Sequence, residues 1–155
     1  MNDYTQIKEQ LCESLRLTFE NITFSEVKEV TAEEFRKSVF YTSFSRSFSS
    51  KMKISAEKMN AEVCIYVIPN LVEILYDNAY GGQIFDDKEK KMMDLNGELL
   101  NIFVGHFLLN SQDKTGLFKL SVPENSKGFK ALPQESMILY FIVEDIYPLI
   151  VTVSK

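Results

Sequence analysis

From Asp87 to Leu109 the sequence allows a helix that is apolar on every side but one. At about 100° per residue, with Asp94 at zero, Met92, Met93, Leu95, Leu99, Leu100, Ile102, Phe103, Val104 and Phe107 fill an arc from about 60° to about 280°. Glu98 falls at about 40°, Asn101 at about 340°, Gly105 at about 20° and Gly97 at about 300°. Such a helix must be packed on most of its circumference, and it keeps one narrow polar stripe. Asp86 or Asp87 is placed to cap its amino end, where negative groups are favoured.

The 155 residues (17.9 kDa) around this helix suffice for one domain with a real core. Apolar residues make up 45% and charged residues 25%, with only six Gly and four Pro, which excludes disordered and collagen-like chains. The net charge is −5 and no window gathers Lys and Arg, so a nucleic-acid partner is not expected. The longest apolar run, Met137–Val143, is far below the roughly 18 residues of a membrane span, so no membrane partner is expected either. The first six residues have neither a basic nor an apolar signal region, which gives a cytoplasmic expectation. Cys12 and Cys64 read as buried reduced thiols, with a single cross-core disulfide left open.

Tyr4, Ile7, Leu11, Leu15 and Phe19 step by three and four behind Asn2 or Asp3, which predicts a capped amphipathic helix. Residues 22–30, 39–48 and 62–68 are rich in β-branched and aromatic side chains and predict strands; in the second, Phe44, Arg46 and Phe48 alternate with Ser43, Ser45 and Ser47. Pro69 and Gly81-Gly82 bracket a short helix through Leu71, Val72, Leu75 and Tyr76. Residues 117–122, 137–144 and 149–153 predict three more strands, with residues 145–148 turning the last two into a hairpin. Helix plus three strands thus occurs twice around a short helix, as in a duplicated unit with long helices on a mainly antiparallel sheet. This is an α/β (α+β) two-layer architecture in a single domain, 1–155.

Glu98 and Asn101, spaced i and i+3, project side by side. Such a pair is ordinarily the wet face of a helix. Here Gly97 and Gly105 flank it, at about 1 kcal/mol each relative to Ala, a cost that fits a face approached closely by another surface. His106, the only histidine, falls on the apolar side and reads as a core-edge residue rather than part of a triad. No short ligand spacing points to a metal, no Gly-rich loop to a nucleotide, and no acidic cluster to magnesium.

Asp94-Leu95-Asn96-Gly97-Glu98-Leu99-Leu100-Asn101-Ile102-Phe103-Val104-Gly105 resembles the D-x3-E-x2-N-x3-G helix of the CheC/CheX/FliY chemotaxis phosphatase family. Leu117-Phe118-Lys119-Leu120-Ser121-Val122-Pro123 resembles that family's following strand, which ends in Ser-x-Pro, and the helix ending in Tyr80-Gly81-Gly82 resembles its mid-chain helix. Chain length and a single motif favour the CheX-like branch. CheC and FliY members carry a second Glu-x-x-Asn pair, whereas the first helix here offers Glu9-Gln10-Leu11-Cys12 and Glu13-Ser14-Leu15-Arg16, neither ending in Asn, which implies one active site. Ile102 stands where CheX-like sequences often have Met.

The resemblance implies a phosphatase that hydrolyses the aspartyl phosphate of a CheY-type response regulator in chemotaxis signalling. Asn101 is then the residue that positions the attacking water, and Glu98 docks on the regulator's lysine. Asp94, Gly97 and Gly105 are expected to border the partner. No cofactor is expected on this chain; Mg2+ belongs to the regulator's own site. The rival reading is a non-catalytic module that binds a receiver or receptor through the same stripe. A third, a small-molecule domain, requires an enclosed apolar pocket. A homodimer is expected through sheet edges, with the hairpin of residues 137–153 as the candidate edge.

Overall fold

A computed structural model describes residues 3–111 and 116–155 of the chain. Helix α1 (Asp3–Thr23) buries Leu11, Leu15 and Phe19, as their spacing requires. The predicted cap at Asn2 lies outside the described residues. Strand β1 (Val27–Val30) follows, then the one-turn helix α2 (Ala32–Arg36). In α2 the Thr31 side chain accepts from the N–H of Glu34, and the Glu34 carboxylate accepts from the N–H of Thr31. The predicted strand over 22–30 therefore begins late, because α1 runs on to Thr23.

The predicted strand over 39–48 is not formed. Residues Tyr41–Arg46 make a 3-10 helix, and strand β2 (Phe48–Ala56) starts where the predicted one ended. Aromatic packing explains the difference. The Phe35 ring lies 5.1 Å from Phe44 and 5.0 Å from Tyr140, and Phe44 lies 6.1 Å from Phe129. These contacts pull the segment onto the sheet face, while Arg46 stays exposed. The alternating Phe and Ser stretch expected as a strand is thus a tight turn that leads into the first residue of β2.

Strand β3 (Asn60–Val67) leads into α3 (Pro69–Tyr80), bracketed as expected by Pro69 in the first turn and Gly81 at φ 60°. Helix α4 (Lys88–Asn110) has Asp87 at its N-cap position, but the Asp87 side chain makes no capping bond; its carbonyl accepts from the N–H of Lys91 at 3.0 Å. Four strands complete the chain: β4 (Phe118–Leu120), β5 (Glu124–Lys127), β6 (Met137–Val143) and β7 (Tyr147–Ser154). The β6–β7 turn is made by Glu144, Asp145 and Ile146, the first two at φ 52° and 59°, while Pro148 lies within β7 opposite Ile142. The turn therefore sits ahead of the predicted 145–148.

All pairings are antiparallel, in the order β1-β6-β7-β3-β2-β4, with β5 also paired to β2. Exchanging α1-β1-β2-β3 for α4-β4/β5-β6-β7 reverses this order and reproduces it, so the duplicated unit survives as a pseudo-twofold between β3 and β7. The helices α1, α3 and α4 form the second layer. Ile65, Val67, Leu149, Val151, Leu139 and Phe141 pack beneath them. On the other face, α2, the 3-10 helix and Phe129 cover Tyr66 and Ile150. The central strands are buried on both faces, which is why they read as continuous apolar runs.

The predicted role of the 137–153 hairpin as a sheet edge is not met. β7 is central and β6 lies between β1 and β7, so the edges are β1 on one side and β4 with β5 on the other. The hairpin is apolar because it is interior.

Candidate functional site

α4 exposes one strip because the sheet and neighbouring helices occupy the rest of it. Leu95, Leu99, Leu100, Phe103, Val104 and Phe107 are buried, whereas Asp94, Glu98 and Asn101 are exposed and Gly105 half-buried. The predicted stripe is thus brought together, apart from Gly97. Among the described residues, neither the Glu98 carboxylate nor the Asn101 carboxamide has a hydrogen-bond or ion-pair partner. Both are held on a backbone that cannot shift without disturbing the core.

Gly97 is buried, and a Cβ there would stand 2.7 Å from Oδ1 and 3.1 Å from Nδ2 of Asn125. The close approach that this glycine permits is made by the chain's own β5. Gly105, by contrast, has open space where a side chain would project. Asn96, 2% exposed, donates from Nδ2 to Ser50 Oγ at 2.9 Å, and Ser50 donates to Asn125 Oδ1 at 2.6 Å. The Asn96 side-chain oxygen Oδ1 is buried without a partner among the described residues, an arrangement that costs about 1–3 kcal/mol. No sequence signal pointed to Asn125 or Ser50; only strand register places them under α4.

Tyr80, noted in the sequence only as part of a helix exit, flanks the stripe. Its ring lies 4.9 Å from Tyr76 and 5.6 Å from Phe85. Partial burial, and then the neighbouring Glu98, Tyr76 and Asp94, push its phenol above the ordinary tyrosine value. His106 lies half-buried toward α1. The Thr18 hydroxyl gives its proton to the Ser14 carbonyl at 2.8 Å, so His106 Nδ1 donates to Thr18 Oγ1 at 3.0 Å, fixing the tautomer. Cys12 and Cys64 are free thiols, pushed up to about 12 and about 11 chiefly by burial.

The pseudo-twofold gives α4 an internal comparison. By burial pattern, Leu11, Ser14, Leu15, Thr18, Phe19 and Thr23, all buried on α1, match Asn96, Leu99, Leu100, Phe103, Val104 and Leu108, all buried on α4. In that register Glu9 falls on Asp94, Glu13 on Glu98 and Arg16 on Asn101. Arg16 donates from Nη2 to both Glu13 oxygens, at 2.7 and 2.6 Å. The α1 pair is therefore self-neutralised and the α4 pair is open.

Among the described residues, no three His, Cys, Asp or Glu side chains gather as a metal would require. An open cleft of about 730 Å³ includes Arg46, Phe48, Glu73, Lys88, Glu89 and Lys127 but neither Glu98 nor Asn101. Two of its cations are engaged, Lys88 with Glu73 at 2.8 Å and Lys127 with Glu89 at 2.9 Å. It is not the enclosed apolar pocket of a small-molecule domain.

No protein-family model matches the sequence, and no curated protein does. The fold, however, is that of the CheX and CheC-like proteins. The chemotaxis protein CheX of Vibrio vulnificus superposes with a TM-score of 0.75 at 14% identity, covering 99% of this chain and 98% of that one. A CheC-like superfamily protein from Shewanella gives 0.73 at 16% identity, over 99% and 97%. The CheX of Borrelia burgdorferi, solved in complex with CheY, BeF3 and Mg2+, gives 0.68 at 14% identity, over 95% and 96%.

Proposed function

We propose that this chain is a phosphatase acting on the aspartyl phosphate of a CheY-type response regulator. The observation that carries the reading is the open Glu98 and Asn101 pair on a helix buried on its other sides, set against the closed Glu13 and Arg16 pair in the other half of the fold. The shared fold with a CheX that was solved bound to CheY supports it. A fold alone does not entail hydrolysis, so the site has to carry the argument.

In this reading the helix face docks on the receiver domain. Glu98, an exposed anion, pairs with the receiver's active-site lysine and sets the orientation of the complex. Asn101 offers a carbonyl acceptor and two N–H donors from one rigid group. It holds a water in line with phosphorus, as a glutamine does in switch GTPases. Water adds to phosphorus, the bond to the aspartyl oxygen breaks, and inorganic phosphate and a free carboxylate result. Mg2+ is the receiver's contribution. Asp94 and Gly105 border the interface, and the complex forms in the cytoplasm without nucleic acid or membrane.

The test is phosphate release from a CheY-type receiver charged with a small phosphodonor, with and without this protein. Release accelerated in proportion to catalytic amounts of the protein supports the proposal. Tight receiver binding with an unaltered release rate replaces it with the non-catalytic binding module.

A further inference from the structure

Asn125 lies on α4 at Gly97, one turn before Asn101 and next to Glu98, and residues four apart on a helix are surface neighbours. Three observations fix it there. Its register opposite Ser50 turns it toward α4, as Lys127, two residues on, is turned toward Glu89 at 2.9 Å. Its Oδ1 takes the Ser50 proton at 2.6 Å, and Ser50 in turn takes one from Asn96, so β5, β2 and α4 share one chain of hydrogen bonds. Finally, position 97 has no side chain to hold it off. With Oδ1 accepting from Ser50, the Asn125 amide is held in this orientation by a side-chain hydrogen bond.

We infer that Asn125 is a positioning residue of this site: through Gly97 and the Ser50 and Asn96 bonds it sets the depth and rotation of α4, and thereby the aim of Asn101 and Glu98. The inference rests on the proposed function for its catalytic readout and deepens it. The network spends a glycine, a buried asparagine and an unpaired carbonyl on one turn of helix, where a leucine contact would have packed more simply. Those features fall at residues 96 and 97, immediately before Glu98.

Three variants separate aim from packing. Asn125→Ala should lower kcat for phosphate release about ten- to a hundredfold with little change in KM or in receiver affinity. Gly97→Ala should lose both stability and turnover, because its new methyl meets Asn125. The double variant Gly97→Ala/Asn125→Ala should regain the melting temperature of Asn125→Ala but not the turnover. Turnover that recovers with stability in the double variant overturns the inference, leaving Asn125 a packing residue. Should the wild type release no phosphate at all, the proposed function falls, and the inference is read by NMR instead. The side-chain amide signals of Asn101 then shift in Asn125→Ala if Asn125 sets its orientation, and stay in place if it does not.

Discussion

A carboxylate three residues from a polar partner occurs on both long helices, and the residue at the second position decides what the first can do. Arg16 holds both Glu13 oxygens, while Asn101 leaves Glu98 available to a cation from outside. Glu13→Ala is therefore expected to leave phosphate release and receiver affinity unchanged, and Glu98→Ala to weaken receiver affinity, both read by titration against a receiver held in its phosphorylated form by beryllofluoride. The thiols give a second expectation. Their ordinary value is 9.0, and burial pushes Cys12 to about 12 and Cys64 to about 11. The folded state therefore keeps protons that the unfolded state releases. This contribution is fully present below pH 9.0 and is lost as pH rises through about 11 to 12. Urea midpoints should fall from about pH 9 upward, and alkylation at neutral pH should be slow until the chain unfolds.

At the scale of elements, the sequence announced those whose local chemistry agrees with their packing. α3 has Pro69 at one end and Gly81 at the other, and α4 shows its buried arc in the order of its residues. Tyr41–Arg46 was misread because alternating Phe and Ser fits a strand and equally a tight turn pinned by Phe35, Tyr140 and Phe129, which are distant in sequence. β5 was missed because Glu124, Asn125, Ser126 and Lys127 have no strand propensity; pairing with β2 makes them a strand. The two glycines of α4 are now distinguishable. Gly105 has room and an ordinary helical backbone, so Gly105→Ala should stabilise the fold by about 0.5–1 kcal/mol in chemical denaturation while weakening receiver affinity at a crowded interface. Gly97→Ala should lack that gain and lower stability instead, because its methyl displaces the Asn125 amide from its bond with Ser50.

For the whole molecule, the duplication was legible as an order of elements, and the sheet shows why no residue-level repeat accompanies it. Each half fills different surroundings around the central β3–β7 pair, and of the two long helices α4 is the one whose Glu and Asn stay unpaired among the described residues. The assembly was less legible. With β6–β7 interior, the sheet edges open to a second copy are β1 on one side and β4 with β5 on the other, short strands that carry the charged Lys28, Glu29, Lys119, Glu124 and Lys127. We retain the dimer as a proposal for light scattering at micromolar concentration: a mass about twice 17.9 kDa supports it, and a particle of 17.9 kDa rejects it.

The most direct measurement compares wild-type and Asn101→Ala protein on one phosphorylated receiver, following phosphate release and complex formation in the same preparation. The account predicts that Asn101→Ala binds as the wild type does, to within about twofold, while the acceleration of release is lost. Undiminished release by Asn101→Ala, or binding and release lost together, would contradict the assignment of Asn101 as the residue that positions the attacking water.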